Sequence, residues 1–329
     1  MLIKFPGITP NMATLLTSLA FSLLACTVHA FDLQAHRGGR GLAPENTLAA
    51  FERSLEIGVT TLELDVGLTS DAMVVISHDP HLNPNLTRSA PSAWLADRGP
   101  LIKDLSLAEV QRYDVGRIQP NTAYDKAFPE QKGRDGERIP TLAALFALVN
   151  SRGAHEVRFN IETKLFPPKP NDTVTPEVLT KALLNVIEQA GMAQRVTIQS
   201  FDWRSLKLVQ EWAPTIPTVY LSVQSANSNN LVDGQWSAGL KLANFDSPAH
   251  MVKASGGKVW SPNFNNVTQA SVTQAQALGL QVIPWTVNTE ADLKKLLDWQ
   301  VDGIITDYPN RLRDLMRERG MTLPKGLKN

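Results

Sequence analysis

Residues 31–68, FDLQAHRGGRGLAPENTLAAFERSLEIGVTTLELDVGL, contain the pattern that decides the fold. The runs at 31–36 and 61–68 are rich in residues that favour β-strands. Between them, apolar residues from Leu48 onward recur at spacings of three and four, which predicts an amphipathic helix over 44–58. The segment therefore predicts a strand, a helix and a second strand in succession.

The same alternation continues to the end of the chain. Further strands are predicted at 73–78, 156–164 and 195–201, and further helices at 140–153 and 175–191. About eight strand–helix units result, which is the size of a TIM-type (β/α)8 barrel, an α/β fold, over residues 31–329. A doubly wound open sheet has the same periodicity. However, no glycine-rich nucleotide-binding motif opens a helix, which disfavours the nucleotide-binding form of that sheet.

One segment, residues 80–138, interrupts the alternation. It is rich in Pro, Gly, Asn and charged residues, with a short helical pattern only near Leu105. Loops of this length are uncommon in single domains and are often functional. After an early barrel strand, an insertion would lie over the C-terminal face, where active sites of such barrels are built. A peripheral loop is the alternative.

The composition limits the classes of function. The chain has 329 residues, of which 43% are hydrophobic and 19% charged, so it can bury a large core and is not a disordered chain. Its 32 Lys and Arg residues balance 32 Asp and Glu residues, which leaves no overall basic field for nucleic acid. Cys26 is the one cysteine, so an internal disulfide is excluded.

Residues 1–30 resemble a secretory signal peptide. Lys4 is the one Lys, Arg, Asp or Glu before Asp32, and residues 12–25 are mostly apolar. This run is shorter than the roughly 20 residues that a membrane-spanning helix needs. We expect cleavage after Ala30, export to the periplasm and no transmembrane helix in the mature chain. Lipidation at Cys26 and a disordered or membrane-anchoring N-terminus are the alternatives.

Acidic residues occur on two neighbouring predicted strands. Glu63 and Asp65 are two apart, so their side chains share one face of the strand, about 7 Å apart along the chain. Glu162 and Lys164 repeat this spacing on the next strand of the barrel. An isolated pair of this kind is commonly a solvated or salt-bridged edge. Three buried carboxylates without cysteine instead favour a hard cation such as Mg²⁺ or Ca²⁺.

Two of the six histidines follow predicted strands and have charged neighbours. His36 precedes Arg37, and His78 precedes Asp79. Together with the acidic residues and Lys164, they indicate a metal-assisted site for a phosphate ester. The cations would offset negative charge, while one histidine accepts a proton and the other donates one.

The sequence also resembles the glycerophosphodiester phosphodiesterase family, specifically its exported, periplasmic branch. The motifs that carry the resemblance are His36-Arg37-Gly38, Pro44-Glu45-Asn46-Thr47, Glu63-Leu64-Asp65-Val66, Thr69-Ser70-Asp71, His78-Asp79, Glu162-Thr163-Lys164, Gln199-Ser200-Phe201, Trp285-Thr286-Val287-Asn288 and Asp302-Gly303-Ile304-Ile305-Thr306-Asp307. They cover nearly all of residues 31–315 in order. Ala72 stands where the family often has glycine, outside the predicted site.

The resemblance implies a TIM barrel that hydrolyses glycerophosphodiesters to glycerol 3-phosphate and an alcohol, with one divalent cation, Ca²⁺ or Mg²⁺. It implies a cyclic phosphate route, in which a glycerol hydroxyl attacks phosphorus and water then opens the ring. The implied roles are acid–base catalysis for His36 and His78, metal ligation for Glu63, Asp65 and Glu162, phosphate contact for Arg37 and Lys164, and glycerol contact for Trp285. From its strand-end position we add Gln199 as a substrate-binding residue.

Two alternatives remain open at this stage. A phosphodiesterase of the lysophospholipase D type would act on a substrate that keeps one acyl chain, with the insertion lining an acyl groove. A surface-binding protein could keep the barrel without turnover, although each predicted catalytic and metal position holds the expected residue type. The sequence does not indicate which of the two cations binds, the head-group preference or the oligomeric state.

Overall fold

Eight parallel strands surround the centre of the molecule. A computed structural model of the chain describes residues 1–3, 7, 31–90 and 93–327. Most of the predicted signal peptide, including Cys26, lies outside the described residues. Among the described residues, no helix has both the length and the apolar character that a membrane span requires.

The strands form one main sheet and one small hairpin. In chain order they are β1 (Asp32–Ala35), β2 (Thr61–Leu68), β3 (Val74–Ile76), β4 (Arg88–Ala90), β5 (Ala93–Trp94), β6 (Arg158–Thr163), β7 (Val196–Ser200), β8 (Thr218–Ser222), β9 (Val259–Pro262), β10 (Gln281–Val282) and β11 (Gly303–Thr306). The main sheet has the order β10-β9-β8-β7-β6-β2-β1-β11, and all neighbours in it are parallel. Strand β3 adds to β2 as an antiparallel hairpin, and β4 pairs with β5.

Backbone hydrogen bonds bring the two ends of the main sheet together. The N–H of Asp302 donates to the carbonyl of Val282 at 3.0 Å, and the N–H of Ile305 donates to the carbonyl of Pro284 at 3.0 Å. These bonds join β11 to the chain at and just after β10. They confirm the predicted barrel and exclude an open sheet.

Helices cover the outside of the barrel. They are α1 (Leu48–Ile57), α2 (Leu107–Val110), α3 (Ala123–Ala127), α4 (Leu142–Ser151), α5 (Pro176–Gln189), α6 (Trp203–Trp212), α7 (Pro248–Ala254), α8 (Gln269–Ala277), α9 (Glu290–Asp298) and α10 (Pro309–Glu318). Helix α1 begins four residues later than the sequence pattern predicted. The reason is that Thr47 caps it by accepting a hydrogen bond from the N–H of Ala50, while Asn46 has a positive φ of 57°.

The barrel interior has a polar side and an apolar side. Gln34, Asn160 and Gln199, from β1, β6 and β7, are buried and linked by amide hydrogen bonds of 2.9 Å. The apolar side is a buried cluster of Val219, Val259, Ile283 and Ile305. We refer to Gln34, Asn160 and Gln199 as the amide layer.

The segment between β3 and α4 contains the residues predicted as an insertion. It includes the β4–β5 hairpin, α2 and α3, and it packs on a small core of its own, formed by Val75, Leu82, Ile102, Val110 and Ile139. Strand β2 is the second barrel strand, and α4 is the helix that follows it in the barrel. The segment between them therefore leaves the barrel at the carboxyl ends of the strands. His78 and Asp79 lie at its start.

Candidate active site

A tight turn carries the first predicted catalytic residue. The 3₁₀ helix His36–Gly38 follows β1 directly, and Arg37 in its middle has a φ of 51°. Gly38 has a φ of 77°, and a Cβ there would lie 2.9 Å from the Cβ of Ala50, so the turn packs tightly on α1. The turn directs the backbone N–H of Arg37 to a carboxylate oxygen of Glu63, at 2.8 Å.

The three predicted metal ligands lie together at the carboxyl ends of β2 and β6. The register of these strands sets Asp65 opposite Glu162, and Glu63 lies two residues before Asp65. One oxygen from each carboxylate lies within 4.8 Å of the other two, and all three side chains are buried. The sequence prediction that these carboxylates converge is confirmed.

Neutral amides orient two of these carboxylates. The side-chain amide of Gln199 donates to Glu63 at 2.6 Å, and the side-chain amide of Asn46 donates to Asp65 at 2.9 Å. Both donors fix a carboxylate in place without neutralising its charge, so the amides leave the negative charge that favours binding of a cation.

The pKa values in the cluster reflect crowded negative charge. Burial and the neighbouring Asp65 raise the pKa of Glu63 well above its ordinary value. Burial also raises the pKa of Glu162, to about 7, although Lys164 opposes the shift. For Asp65, the charges of Lys164, His78 and Arg37 outweigh burial and lower the pKa. A group of buried oxygen donors with this repulsion fits a divalent cation, which would neutralise it.

Two cations flank the carboxylates. The guanidinium of Arg37 donates to Glu45 at 2.7 Å and lies 3.3 Å from Asp65. The ammonium of Lys164 lies 2.8 Å from Glu162 and 3.5 Å from Asp65. Both side chains are largely buried, so their charges are poorly screened by water and available to an anionic substrate.

Each predicted catalytic histidine is oriented by a carboxylate. Nδ1 of His36 contacts Asp307 at 2.6 Å, and Nδ1 of His78 contacts Asp79 at 2.8 Å. Burial lowers the pKa of His36 to about 4, an effect that Arg40 increases and Asp307 opposes. Burial and the charges of Arg37 and Lys164 also lower the pKa of His78. Both imidazoles are therefore neutral near pH 7.

Two connected cavities hold the predicted residues. The inner cavity, of about 130 Å³, is lined by eight of the nine, which are His36, Arg37, Glu63, His78, Glu162, Lys164, Gln199 and Trp285. Asp65, the ninth, is buried beside them in the carboxylate cluster. The outer cavity, of about 690 Å³, shares His78, Glu162, Lys164, Phe201 and Trp285 with the inner one.

The structure also shows the contacts of Gln199 and Trp285, two of the predicted substrate-binding residues. Gln199 lines the inner cavity, but both its amide atoms are engaged, because Nε2 donates to Glu63 and Oε1 accepts from Asn160. Trp285 lies at the boundary of the two cavities and donates its indole N–H to the carbonyl of Ser261 at 2.9 Å.

Sequence reasoning assigned no role to several residues around the histidines. Asp307 directly follows β11, so the strand-end criterion that selected His36 applies to it as well. Asn288 and Arg40 hold the same carboxylate, at 2.7 Å each. Tyr124, from α3 in the segment between β3 and α4, donates to Glu45, and no sequence pattern marks that contact in advance.

Comparisons with known proteins agree with this geometry. The model of the glycerophosphoryl diester phosphodiesterase family matches residues 36–311. The chain is 30% identical to a glycerophosphodiester phosphodiesterase of Caldanaerobacter subterraneus subsp. tengcongensis over 87% of this chain and 98% of the relative. It is 26% identical to a human (Homo sapiens) lysophospholipase D over 86% of this chain and 85% of that protein.

Among solved structures, the chain resembles that of a candidate glycerophosphoryl diester phosphodiesterase from Silicibacter pomeroyi DSS-3. The TM-score is 0.81 at 32% identity, with 90% of this chain and 96% of the other covered. The family match extends from His36 through the last barrel strand and into α10. The chain therefore belongs to the glycerophosphoryl diester phosphodiesterase family.

Proposed function

We propose that the chain hydrolyses glycerophosphodiesters to glycerol 3-phosphate and an alcohol, with one bound divalent cation. Membership of the family makes it a phosphoric diester hydrolase. The observation that carries the proposal is the inner cavity, where both histidines, Arg37 and Lys164 surround the acidic cluster. This set combines acid–base groups with positive charge for one phosphate.

Glu63, Asp65 and Glu162 would hold the cation. When bound, it supplies positive charge against the phosphate oxygens in addition to that of Arg37 and Lys164. Ca²⁺ and Mg²⁺ both take oxygen ligands, so the donor set suits either of them.

The surroundings of the two histidines favour different roles. Each donates its Nδ1–H to a carboxylate, which leaves Nε2 for the substrate. His36 has a side chain only 12% exposed and a pKa lowered to about 4, so we assign it as the general base. His78 is 32% exposed and lies beside the outer cavity, so we assign it as the acid that protonates the leaving alcohol. An arriving phosphate anion would favour its charged form.

The proposed route has two steps. In the first, His36 removes the proton from a glycerol hydroxyl, whose oxygen attacks phosphorus, while His78 protonates the departing alcohol oxygen. In the second, His78 accepts a proton from water, which opens the cyclic phosphate, and His36 returns its proton to the glycerol oxygen. Both histidines then regain their starting states.

Hydrolysis of glycerophosphocholine tests the proposal. We expect choline and glycerol 3-phosphate to appear with Ca²⁺ or Mg²⁺, and the rate to vanish with a chelator or in His36→Ala. The Trp212→Ser variant is the control, because this residue is on the exposed face of α6. The purified, folded protein is also tested with glycerophosphoethanolamine and glycerophosphoglycerol. If all three compounds stay intact with either cation, the non-catalytic alternative is favoured.

We also propose export to the periplasm, on the N-terminal sequence alone.

The lysophospholipase D alternative remains a second candidate function, and the specific observation in its favour is the aromatic lining of the outer cavity. One matched relative is a lysophospholipase D, which is consistent with this candidate.

A further inference from the structure

Arg40 lies just after the His36–Gly38 turn and lines the inner cavity. Its Nε–H donates to Oδ1 of Asp307 at 2.7 Å, and Nδ1 of His36 contacts the same oxygen at 2.6 Å. The side chain of Arg40 is 16% exposed, so this contact is largely shielded from water. One carboxylate oxygen therefore joins a permanent cation to the imidazole that we assign as the general base.

The shared oxygen gives Arg40 two effects on His36. The hydrogen bond from Arg40 fixes the carboxylate of Asp307, which in turn fixes the imidazole ring. The charge of Arg40 opposes protonation of His36, because two cations on one oxygen repel each other. Burial and the charge of Arg40 together outweigh Asp307, so the pKa of His36 is lowered to about 4. A neutral imidazole can accept a proton, as the proposed base must.

Other charged groups face His36 as well. Arg37, in the same turn, lowers the pKa of His36 further, and Asp307, just after β11, raises it. The remaining titratable groups that line the inner cavity come from β2, from the chain after β3 and from the end of β6, and are Glu63, His78, Glu162 and Lys164. Among the described residues, Arg40 is the cation that shares a hydrogen-bonding oxygen with His36.

The segment between β3 and α4, which we call the inserted segment, holds Arg40 from the outside. The hydroxyl of Tyr124 accepts a hydrogen bond from Arg40 at 3.2 Å, and the guanidinium carbon of Arg40 lies 4.7 Å from the centre of the Phe128 ring. The side-chain amide of Gln131 donates to the backbone carbonyl of Arg40 at 2.7 Å. The inserted segment thus contacts both the backbone and the side chain of Arg40.

The contacts of Arg40 differ from those of the two cations assigned to the phosphate. Arg37 and Lys164 lie against the metal-binding cluster, 3.3 and 3.5 Å from the carboxylate of Asp65. Arg40 instead directs Nε to Asp307 and Nη1 to Tyr124. This arrangement favours an action through Asp307 over direct contact with the substrate.

We propose that Arg40 is a positioning residue, through which the inserted segment holds Asp307 in place and keeps His36 an uncharged base. This inference rests on the proposed function, in which His36 accepts the proton of a glycerol hydroxyl. It gives the inserted segment a role in catalysis that does not depend on contact with the substrate.

Three substitutions separate the hydrogen bond of Arg40 from its charge. In Arg40→Gln, the amide nitrogen takes the chain position of the arginine Nε, so the donor to Asp307 is kept and the charge is lost. Arg40→Met loses both the donor and the charge, and Arg40→Lys keeps the charge. Arg53→Met is the matched control, because Arg53 is exposed on α1, where it pairs with Glu56.

NMR of the histidine imidazoles measures the effect of the charge without turnover. The protein is titrated with acid in the presence of Ca²⁺, and His36→Asn assigns the His36 resonance. We expect the pKa of His36 to rise by about one pH unit in Arg40→Gln and Arg40→Met. In Arg40→Lys and Arg53→Met it should stay close to the parent value.

Steady-state kinetics with glycerophosphocholine measure the effect on the reaction. We expect Arg40→Met to lower kcat about tenfold near neutral pH, with KM within about twofold of the parent value. In Arg40→Gln, the acid limb of the kcat/KM profile should move to higher pH together with the pKa of His36. Adding Arg40→Met to Asp307→Asn should lower kcat no further than Asp307→Asn alone, since Arg40 acts through that carboxylate.

Phe128→Leu tests the role of the inserted segment. The change removes the ring beside the guanidinium of Arg40 and keeps an apolar side chain there. We expect kcat to fall about threefold in this variant, and not to fall further when it is combined with Arg40→Met. A kcat equal to that of the parent would overturn the part assigned to the inserted segment.

The outcomes separate this inference from the proposed function. An unchanged pKa of His36 in Arg40→Gln, or additive losses of kcat in the double variant, overturns the role of Arg40 while glycerophosphocholine hydrolysis still stands. A KM that rises more than about tenfold in Arg40→Met identifies a substrate ligand and overturns the positioning role. If the parent hydrolyses no glycerophosphodiester, the proposed function fails, and the NMR titration still decides whether Arg40 keeps His36 uncharged.

Discussion

Oδ1 of Asp307 lies 2.6 Å from Nδ1 of His36, although the two residues stand at opposite ends of the barrel sequence. The pairing of β1 with β11 brings them together. Two further donors, Arg40 and Asn288, hold the same carboxylate at 2.7 Å each. Because an ionised carboxylate only accepts hydrogen bonds, Asp307 keeps the imidazole proton on Nδ1 and leaves Nε2 free as a base.

Asp307→Asn should lower kcat about 100-fold or more, because the amide can offer an N–H to Nδ1 and so favour the wrong tautomer. KM should change much less, since Asp307 does not line either cavity. Steady-state kinetics with glycerophosphocholine measure the effect, and Asp314→Asn, on the exposed face of α10, is the control. A kcat within threefold of the parent would show that Asp307 does not position the base.

Glu162→Gln should abolish the thermal stabilisation that a divalent cation provides. At a cation concentration 100 times the dissociation constant, binding to the native state alone stabilises the parent by about 2.7 kcal/mol. The variant keeps an oxygen for Lys164, which donates to Glu162 at 2.8 Å, so the metal-free fold should be preserved. Thermal unfolding with and without Ca²⁺ or Mg²⁺ measures this, with Glu188→Gln as an exposed control. Equal stabilisation of both variants would contradict the proposed ligand set.

Lys164→Gln should change catalysis and cation binding in opposite directions. Its ammonium lies between Glu162 and Asp65, so its removal leaves the carboxylates more negative and should tighten cation binding. The same change removes a positive charge from the phosphate, and we expect kcat/KM to fall about 100-fold. Calorimetric titration and kinetics on one preparation check both effects. Weaker cation binding would show that Lys164 supports the metal site rather than the phosphate.

Tyr124→Phe should destabilise the link between α3 and the active site. The Tyr124 hydroxyl donates to buried Glu45 and accepts from Arg40 at 3.2 Å. Without it, one buried carboxylate oxygen loses its donor, which should cost about 1–3 kcal/mol of unfolding free energy. Urea unfolding measures the loss, and Tyr113→Phe, in the same inserted segment, is the comparison. If the losses of unfolding free energy in Tyr124→Phe and Tyr113→Phe differ by less than about 0.5 kcal/mol, this role is contradicted.

Export should yield a mature chain that begins at Phe31. Mass spectrometry of the protein from the periplasm of a Gram-negative host would identify this N-terminus. The Cys26→Ser variant should be processed identically, because cleavage after Ala30 does not use the thiol. A lipid-modified Cys26 would instead establish the anchored form.

The sequence predicts the fold well where local patterns and tertiary structure agree. Strand β2 has the predicted bounds, 61–68, because its side chains alternate between the barrel interior and the helices outside. The start of α1 could not be placed from apolar spacing alone, since the Thr47 cap and the positive φ of Asn46 decide it. Closure of the barrel depends on hydrogen bonds between distant segments, which periodicity does not encode.

Sequence reasoning also predicted that the three carboxylates converge, and for a physical reason. Carboxylates at alternate positions of parallel strands must share a face, which brings Glu63 and Asp65 to Glu162. The supporting residues are harder to predict. From the sequence, Gln34 is an ordinary strand residue. Tyr124 lies in the short helix α3 and Trp236 in the long segment between β8 and α7, and packing sets the path of both. Their roles depend on distances that only the assembled barrel defines.

The amide layer of Gln34, Asn160 and Gln199 gives the barrel a closed floor on its polar side. Opposite it, Val219 and Ile283 belong to the buried apolar cluster. The inner cavity shares five lining residues with the outer cavity, so we expect substrate to reach His36 by way of the outer cavity. On such a path, we expect the alcohol released beside His78 to depart first and the phosphorylated product to follow it.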